Sequence, residues 1–171
     1  MTTSSSAWIG LGANVGDPLK QCQDAVIALG RAPGVVSVSC SPWYRSEPLG
    51  PEQPWYINGA AVLQTTLEPQ ALLKLLHQLE RQFGRDRSRE ERWGPRPLDL
   101  DLLLYADRVL DQEGLTIPHP GLALRRFVLT PLADIAPSQQ HPVLGKTVDT
   151  LLHEVEDKSL VERLPLAAYN H

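Results

Sequence analysis

The chain has 171 residues, a length typical of one domain with a substantial core. It is 42% hydrophobic and 21% charged, and its formal net charge of -4 gives no global attraction to nucleic acid or an anionic membrane. Any anion site must therefore be local, and small-molecule partners are expected. Cys22 and Cys40 are far apart and in no metal-spaced pattern, so both read as reduced thiols of a cytoplasmic protein. The N-terminus lacks the basic and apolar regions of a leader, and no apolar run approaches the roughly 20 residues of a membrane span, so neither secretion nor membrane insertion is expected.

Residues 1 to 6 read as an unstructured lead-in, and Ala7 to Gly12 as a short buried strand ending in the turn Gly12-Ala13-Asn14-Val15-Gly16. Asp17 is a suitable N-cap and Pro18 suits a first helical position. Leu19, Cys22, Val26 and Leu29 then share one helix face until Gly30. Val36, Val38 and Cys40 alternate with serines as in a half-buried strand, and the loop Glu47-Pro48-Leu49-Gly50-Pro51 leads to a strand from Tyr56 to Thr65. Pro69 opens a second helix with Leu72, Leu76, Leu79 and Phe83 as its apolar stripe, and Gly84 stops it before a strand through Leu98-Asp99-Leu100-Asp101-Leu102.

Strand, helix, strand, strand, helix, strand is the split βαβ order of an α+β, ferredoxin-like βαββαβ core with a mainly antiparallel sheet. The additions expected after it are a hairpin through Ala106-Asp107-Arg108, a short helix entered at Thr130-Pro131, and an amphipathic helix holding Val148, Leu151, Leu152 and Val155. Residues 7–158 are taken as one domain and residues 159–171 as a C-terminal tail.

In a strand, Asp99 and Asp101 point the same way about 7 Å apart, with Leu98, Leu100 and Leu102 facing the core. Two such carboxylates are either solvent-facing positions of an edge strand or ligands of hard divalent cations, with magnesium bridging them to substrate phosphates. The run Gly84-Arg85-Asp86-Arg87-Ser88-Arg89-Glu90-Glu91-Arg92-Trp93-Gly94-Pro95-Arg96 favours the second reading. Its guanidinium groups match phosphate oxygens, Arg85, Arg92 and Arg96 above the others, while Arg87 and Arg89 are equally suited to pairing with Asp86, Glu90 and Glu91. Trp93 is either a loop anchor or a flat surface that closes on a ligand. His119, between Pro118 and Pro120, and Arg125 are further candidates for phosphate contact. Tyr56, Asn58 and Phe127 supply walls and an in-plane amide for an aromatic heterocycle, although both aromatics also suit a core.

In chain order, Ile9-Gly10-Leu11-Gly12-Ala13-Asn14, Tyr44-Arg45-Ser46-Glu47-Pro48-Leu49-Gly50, Tyr56-Ile57-Asn58, Arg92-Trp93-Gly94-Pro95-Arg96-Pro97-Leu98-Asp99-Leu100-Asp101 and Pro118-His119-Pro120 resemble the 6-hydroxymethyl-7,8-dihydropterin pyrophosphokinase family of folate biosynthesis. The resemblance implies ATP as co-substrate and two Mg2+ ions on Asp99 and Asp101, with Arg85 and Arg96 assisting the transferred group. It implies nucleotide contacts at Glu80, Arg92, Trp93, Arg96, Leu102, Thr116, His119 and Arg125. It places the pterin between Tyr56 and Phe127, read by Asn58 and by Ser46, Glu47, Pro48 and Leu49, with Trp93 closing over it. The proton acceptor stays open between Asp101 and metal polarisation of the substrate alcohol. Glu47, His77, Gly114 and Pro120 depart from the pattern best known in bacteria. A monomer without nucleic-acid partners is expected. The rivals are a metal-dependent transferase using a nucleotide-sugar and an RNA-binding sheet whose affinity falls steeply with salt.

Overall fold

The chain is described here by a computed structural model covering residues 3–50, 52–85, 88 and 95–169. An interior strand of its sheet, β1 (Ser5–Ala13), is apolar almost throughout because helices cover both faces of the sheet around it. β1 pairs antiparallel with β4 (Tyr56–Thr65) on one side and with β5 (Asp99–Tyr105) on the other. The far edge of β4 carries β2 (Val35–Cys40) and then β3 (Tyr44–Ser46), and β3 pairs in turn with β8 (Val161–Arg163). A mixed α and β chain with an antiparallel sheet is thus observed, its strands running β5-β1-β4-β3-β8.

On one face lie α1 (Pro18–Arg31) and α2 (Pro69–Gln82), whose Cys22, Leu29, Leu72 and Leu76 pack against Ile9, Leu63, Leu100 and Leu102. On the other lie α3 (Arg126–Ile135) and α4 (Val148–Glu154), which enclose Trp8, Ala60, Leu103 and Leu104. Asp17 caps α1 by accepting from Lys20 N–H at 3.3 Å. Gly84, at φ 89, closes α2 with the reciprocal bonds Arg85 N–H to Glu80 O and Gly84 N–H to Arg81 O, a left-handed turn that returns Arg85 over the end of the helix.

Several expectations are corrected. Ser5 and Ser6 extend β1 into the stretch taken as an unstructured lead-in, paired with Thr65 and Gln64. The β2–β4 pairing shifts register between Val35 and Ser37, so Val36 is 65% exposed and Cys40 is exposed, while Val35 and Val38 pack inward. No hairpin forms at Ala106–Arg108. The chain leaves β5 there through a turn and reverses between β6 (Leu110–Gln112) and β7 (Leu115–Ile117), where Gly114 takes the required positive φ of 79. The helix placed at Thr130–Pro131 begins at Arg126. Thr130 Oγ1 donates to Arg126 O at 2.7 Å, an intrahelical back-bond instead of a cap, and Pro131 lies inside the helix. β3 was not anticipated as a strand, and residues 159–171, taken as a tail, contribute β8 to the sheet.

Gly59, in β4, lies under the Trp43 ring, which a Cβ would approach to 2.4 Å. Gly59→Ala should therefore destabilise the chain by about 1–3 kcal/mol, read as a lower urea midpoint at unchanged slope; an unchanged midpoint would show that the ring has room to move.

Candidate active site

The register of β1 assembles the site. Gly10 stands opposite Asp101 and Gly12 opposite Asp99 in β5, while Gly12 also stands opposite Asn58 in β4. With no side chains at these two positions, the sheet becomes the floor of a cleft of about 340 Å³. A Cβ at Gly12 would come within 2.9 Å of Asn58 Nδ2, and one at Gly10 would meet the Leu103 side chain at 3.5 Å. Glycine in a strand interior marks close backbone approach to another group, and here that group is whatever occupies the cleft.

One end of the cleft is charged. Asp99 and Asp101 project from β5, Arg85 bonds Asp99, and Arg96 and Arg125 line the same cleft. Glu80, 1% exposed, accepts from Leu100 N–H at 2.9 Å and from Arg85 Nη1 at 2.6 Å, while Arg85 Nη1 also reaches Asp99 Oδ1 at 2.9 Å. Among the described residues β5 is the sheet edge, and the Glu80 carboxylate takes the place of a strand partner for Leu100 N–H. Arg125, at the start of α3, lies across Gly121, where a Cβ would be 2.7 Å from its Cζ.

Burial, then the neighbouring charges of Asp99 and Glu80, push the Asp101 carboxyl well above its ordinary range, opposed by Arg125 and Arg85. Two carboxylates brought together in one cleft suit a site that receives compensating cations with its ligand. His119 Nε2 lies 3.7 Å from Asp101 Oδ1. Its Nδ1 accepts from Gly121 N–H at 3.0 Å, which leaves the proton of the neutral ring on Nε2. Burial and Arg125 hold the imidazole below its usual pKa, so near pH 7 the approach to Asp101 is that of a neutral ring.

The other end has Tyr56, Phe127 and Leu49 as apolar walls and Asn58 as its polar group. Asn58 is 5% exposed, and its Oδ1 accepts the Ser46 hydroxyl, which fixes the plane of the amide. A further buried amide, Asn14, joins the loops flanking the two ends. Its Nδ2 donates to Gln53 Oε1 at 2.8 Å and Pro54 O at 2.9 Å, while its Oδ1 accepts from Arg96 N–H at 2.8 Å.

The structure thus brings Ser46, Glu47, Leu49, Tyr56, Asn58, Arg85, Arg96, Asp99, Asp101, Arg125 and Phe127 to one cleft. Glu80 lies behind Arg85, and His119 beside Asp101. Pro48 and Thr116 are not among the cleft's lining residues; Thr116 is exposed in β7 opposite Asp111. Leu102 alternates to the opposite sheet face, where its side chain packs in the core at 3% exposure. Arg92 and Trp93 lie outside the described residues. Gly10, Gly12 and Asn14 were absent from the sequence-derived site, although two glycines at alternate positions of a buried strand were the available signal.

Among the described residues no cluster of three or more His, Cys, Asp or Glu side chains is arranged to hold a metal. Two carboxylates in a polar cleft instead match magnesium, which completes its shell with water and phosphate oxygens. Glu80→Ala, which removes the acceptor shared by Arg85 and Leu100 N–H, should cost about 3–5 kcal/mol in chemical denaturation, and Glu80→Gln less because it keeps an acceptor. Equal losses in the two variants would refute this account of Glu80.

Residues 8–137 match the family model described as 7,8-dihydro-6-hydroxymethylpterin-pyrophosphokinase. A 2-amino-4-hydroxy-6-hydroxymethyldihydropteridine pyrophosphokinase of Synechocystis sp. is 49% identical over 150 residues, spanning 88% of this chain and 76% of the relative. The Pseudomonas aeruginosa protein of that name is 43% identical over 159 residues, or 92% of this chain and 96% of the relative. Among solved structures, wild-type Plasmodium falciparum HPPK-DHPS superimposes with a TM-score of 0.69 at 13% identity, a likeness of fold alone. It covers 90% of this chain, which spans 45% of that longer one.

Proposed function

The chain belongs to the 7,8-dihydro-6-hydroxymethylpterin-pyrophosphokinase family, and from that premise we infer that it transfers pyrophosphate from ATP to 6-hydroxymethyl-7,8-dihydropterin, a step of folate biosynthesis that yields AMP and the pterin pyrophosphate. The observation that carries this reading is the two-ended cleft. A charged end of two carboxylates and three arginines adjoins an apolar end with one oriented amide, and the glycine floor runs beneath both. Such a cleft suits a polyphosphate and a flat heterocycle bound side by side.

In this reading the heterocycle enters between Tyr56 and Phe127, and Asn58, held by Ser46, presents its amide to the ring edge. The loop Ser46 to Leu49 lines that end, with Pro48 shaping its backbone. Arg85 and Arg96 bind the group in transit, and Arg125 and His119 hold the remaining phosphate oxygens from the α3 side. Arg85 arrives already oriented by Glu80, so little of its freedom is lost when phosphate binds. Thr116, Leu102, Arg92 and Trp93 belong to the proposed nucleotide and lid contacts by family resemblance. Asp99 and Asp101 would hold two magnesium ions, which supply neutralisation of the polyphosphate charge. The pterin alcohol attacks the β-phosphorus in line, the bond to the α-phosphate oxygen breaks, and AMP departs without a covalent enzyme intermediate. The alcohol proton passes to Asp101 or is released as the metal ions polarise the alcohol, the two routes that these residues allow.

The order β5-β1-β4, with β2 beyond β4 and α1 and α2 as crossovers, supports the ferredoxin-like reading of the core. A cytosolic setting fits the free thiols of Cys22 and Cys40. No described helix is long and apolar enough to cross a membrane.

Incubation with ATP, magnesium and 6-hydroxymethyl-7,8-dihydropterin should release AMP, and Asp99→Ala or Asp101→Ala should slow release at least ~100-fold. Absence of AMP above a no-enzyme control, or full turnover in both variants, would sink the reading. Gly12→Ala should raise KM for the pterin, because the new Cβ displaces the Asn58 amide from 2.9 Å; an unchanged KM would count against Asn58 as the reader of the ring.

A further inference from the structure

The segment after Lys158 makes a series of contacts with the substrate loop that the function as stated does not use. β8 lies along the outer edge of β3, with Val161 opposite Ser46 and Arg163 opposite Tyr44. The pairing is anchored at its far end, where Leu164 N–H donates to Trp43 O at 2.9 Å and Trp43 N–H donates to the Tyr169 hydroxyl at 2.8 Å. Arg163 also reaches Asp134 of α3 at 3.1 Å, and the Tyr44 hydroxyl donates to the same carboxylate. At the cleft end, the ladder continues one residue past both strands. Glu47 N–H donates to Leu160 O at 3.2 Å, and Leu160 N–H donates to Glu47 Oε1 at 2.7 Å.

This reciprocal pair falls where β3 becomes the cleft-lining loop. Ser46 is 1% exposed and holds Asn58, and Glu47 and Leu49 line the cleft directly. The other limb of the loop is tied to β8 as well. Arg45 donates to Glu162 Oε2 at 3.1 Å and 3.0 Å, and its guanidinium stands over the Trp55 ring at 4.9 Å from the centroid. β8 therefore contacts the entry of the loop through Glu47 and its exit through Arg45 and Trp55.

We propose that the 159–163 segment is a positioning strap for the heterocycle end of the cleft, with Leu160 and Glu47 as its clasp. The inference rests on the pterin reading of that end. Ordering loop residues only when the substrate arrives costs conformational entropy, and a loop already fixed from outside avoids much of that cost. Leu160 acts through its backbone N–H, since its side chain is 52% exposed, and through Glu47 it acts on the loop. Neither Leu160 nor β8 touches the charged end, so the strap should govern pterin affinity and leave nucleotide affinity alone.

The test measures binding by calorimetry on the full chain with magnesium. One titration uses 6-hydroxymethyl-7,8-dihydropterin in the presence of α,β-methylene-ATP, and another uses α,β-methylene-ATP alone. Leu160→Pro, which deletes the N–H, should weaken pterin binding roughly fivefold, the order of one lost charge-assisted hydrogen bond, with nucleotide affinity unchanged. Leu160→Ala keeps the N–H and should bind the pterin as the unaltered chain does. Glu47→Ala should weaken pterin binding similarly, and combining it with Leu160→Pro should add nothing, because both remove one interaction. If Leu160→Pro does not fold, Glu47→Ala carries the same comparison with the β8 backbone intact. Unchanged pterin affinity in the folded variants, or equal weakening of pterin and nucleotide, overturns the strap. An unaltered chain that binds no pterin overturns the functional reading itself.

Discussion

The buried carboxylate of Glu80 is the constraint on which the charged half of the molecule depends. It accepts the outward Leu100 N–H of the edge strand β5 and the Arg85 guanidinium, which in turn reaches Asp99. A carboxylate 1% exposed is tolerable only when such donors surround it, so the end of α2, the turn at Gly84 and the edge of β5 become one unit. That unit fixes the position from which Asp99 and Asp101 project. Its negative charge also helps to raise the proton affinity of Asp101.

The second determinant is an omission of atoms. Gly10 and Gly12 lie between the carboxylates on β5 and the amide on β4, and their missing side chains open the space that joins the two ends. A continuous β-sheet normally fills each face with side chains, so a cleft across three adjacent strands needs a bare strand in the middle. The pleat assigns Ile9 and Leu11 to the α1 and α2 core and leaves the glycines facing the cleft. One strand thereby serves as both core and floor.

The loops obtain their order from contacts remote in sequence. Asn14 joins the Gln53–Pro54 limb to the backbone of Arg96, coupling the two ends of the cleft through one buried amide. β8 supports the Ser46–Leu49 limb from outside. In both cases the anchoring residue is distant along the chain from the loop it supports.

By itself, the sequence determined the local features. The Asp17-Pro18 cap, the Pro69 helix entry, the Gly84 stop and the alternation that aligns Asp99 with Asp101 depend on residues within a turn or two of each other, and each is found in the structure. The R-W-G-P-R-x-L-D-L-D string pointed to the family for a related reason, since its two arginines and two carboxylates lie within one short segment and are legible without any tertiary contact. Tertiary structure decided what depends on pairing. The β2 bulge that exposes Val36, the short β3, the start of α3 before Thr130 and the recruitment of residues after Lys158 all follow from partners far away in the chain. Alternation and capping propensities contain no record of such partners. The same holds for Leu102, which the family pattern placed near the nucleotide and whose side chain the strand pleat sends into the core, and for Gly12, whose role exists only because Asp99 and Asn58 lie on either side of it.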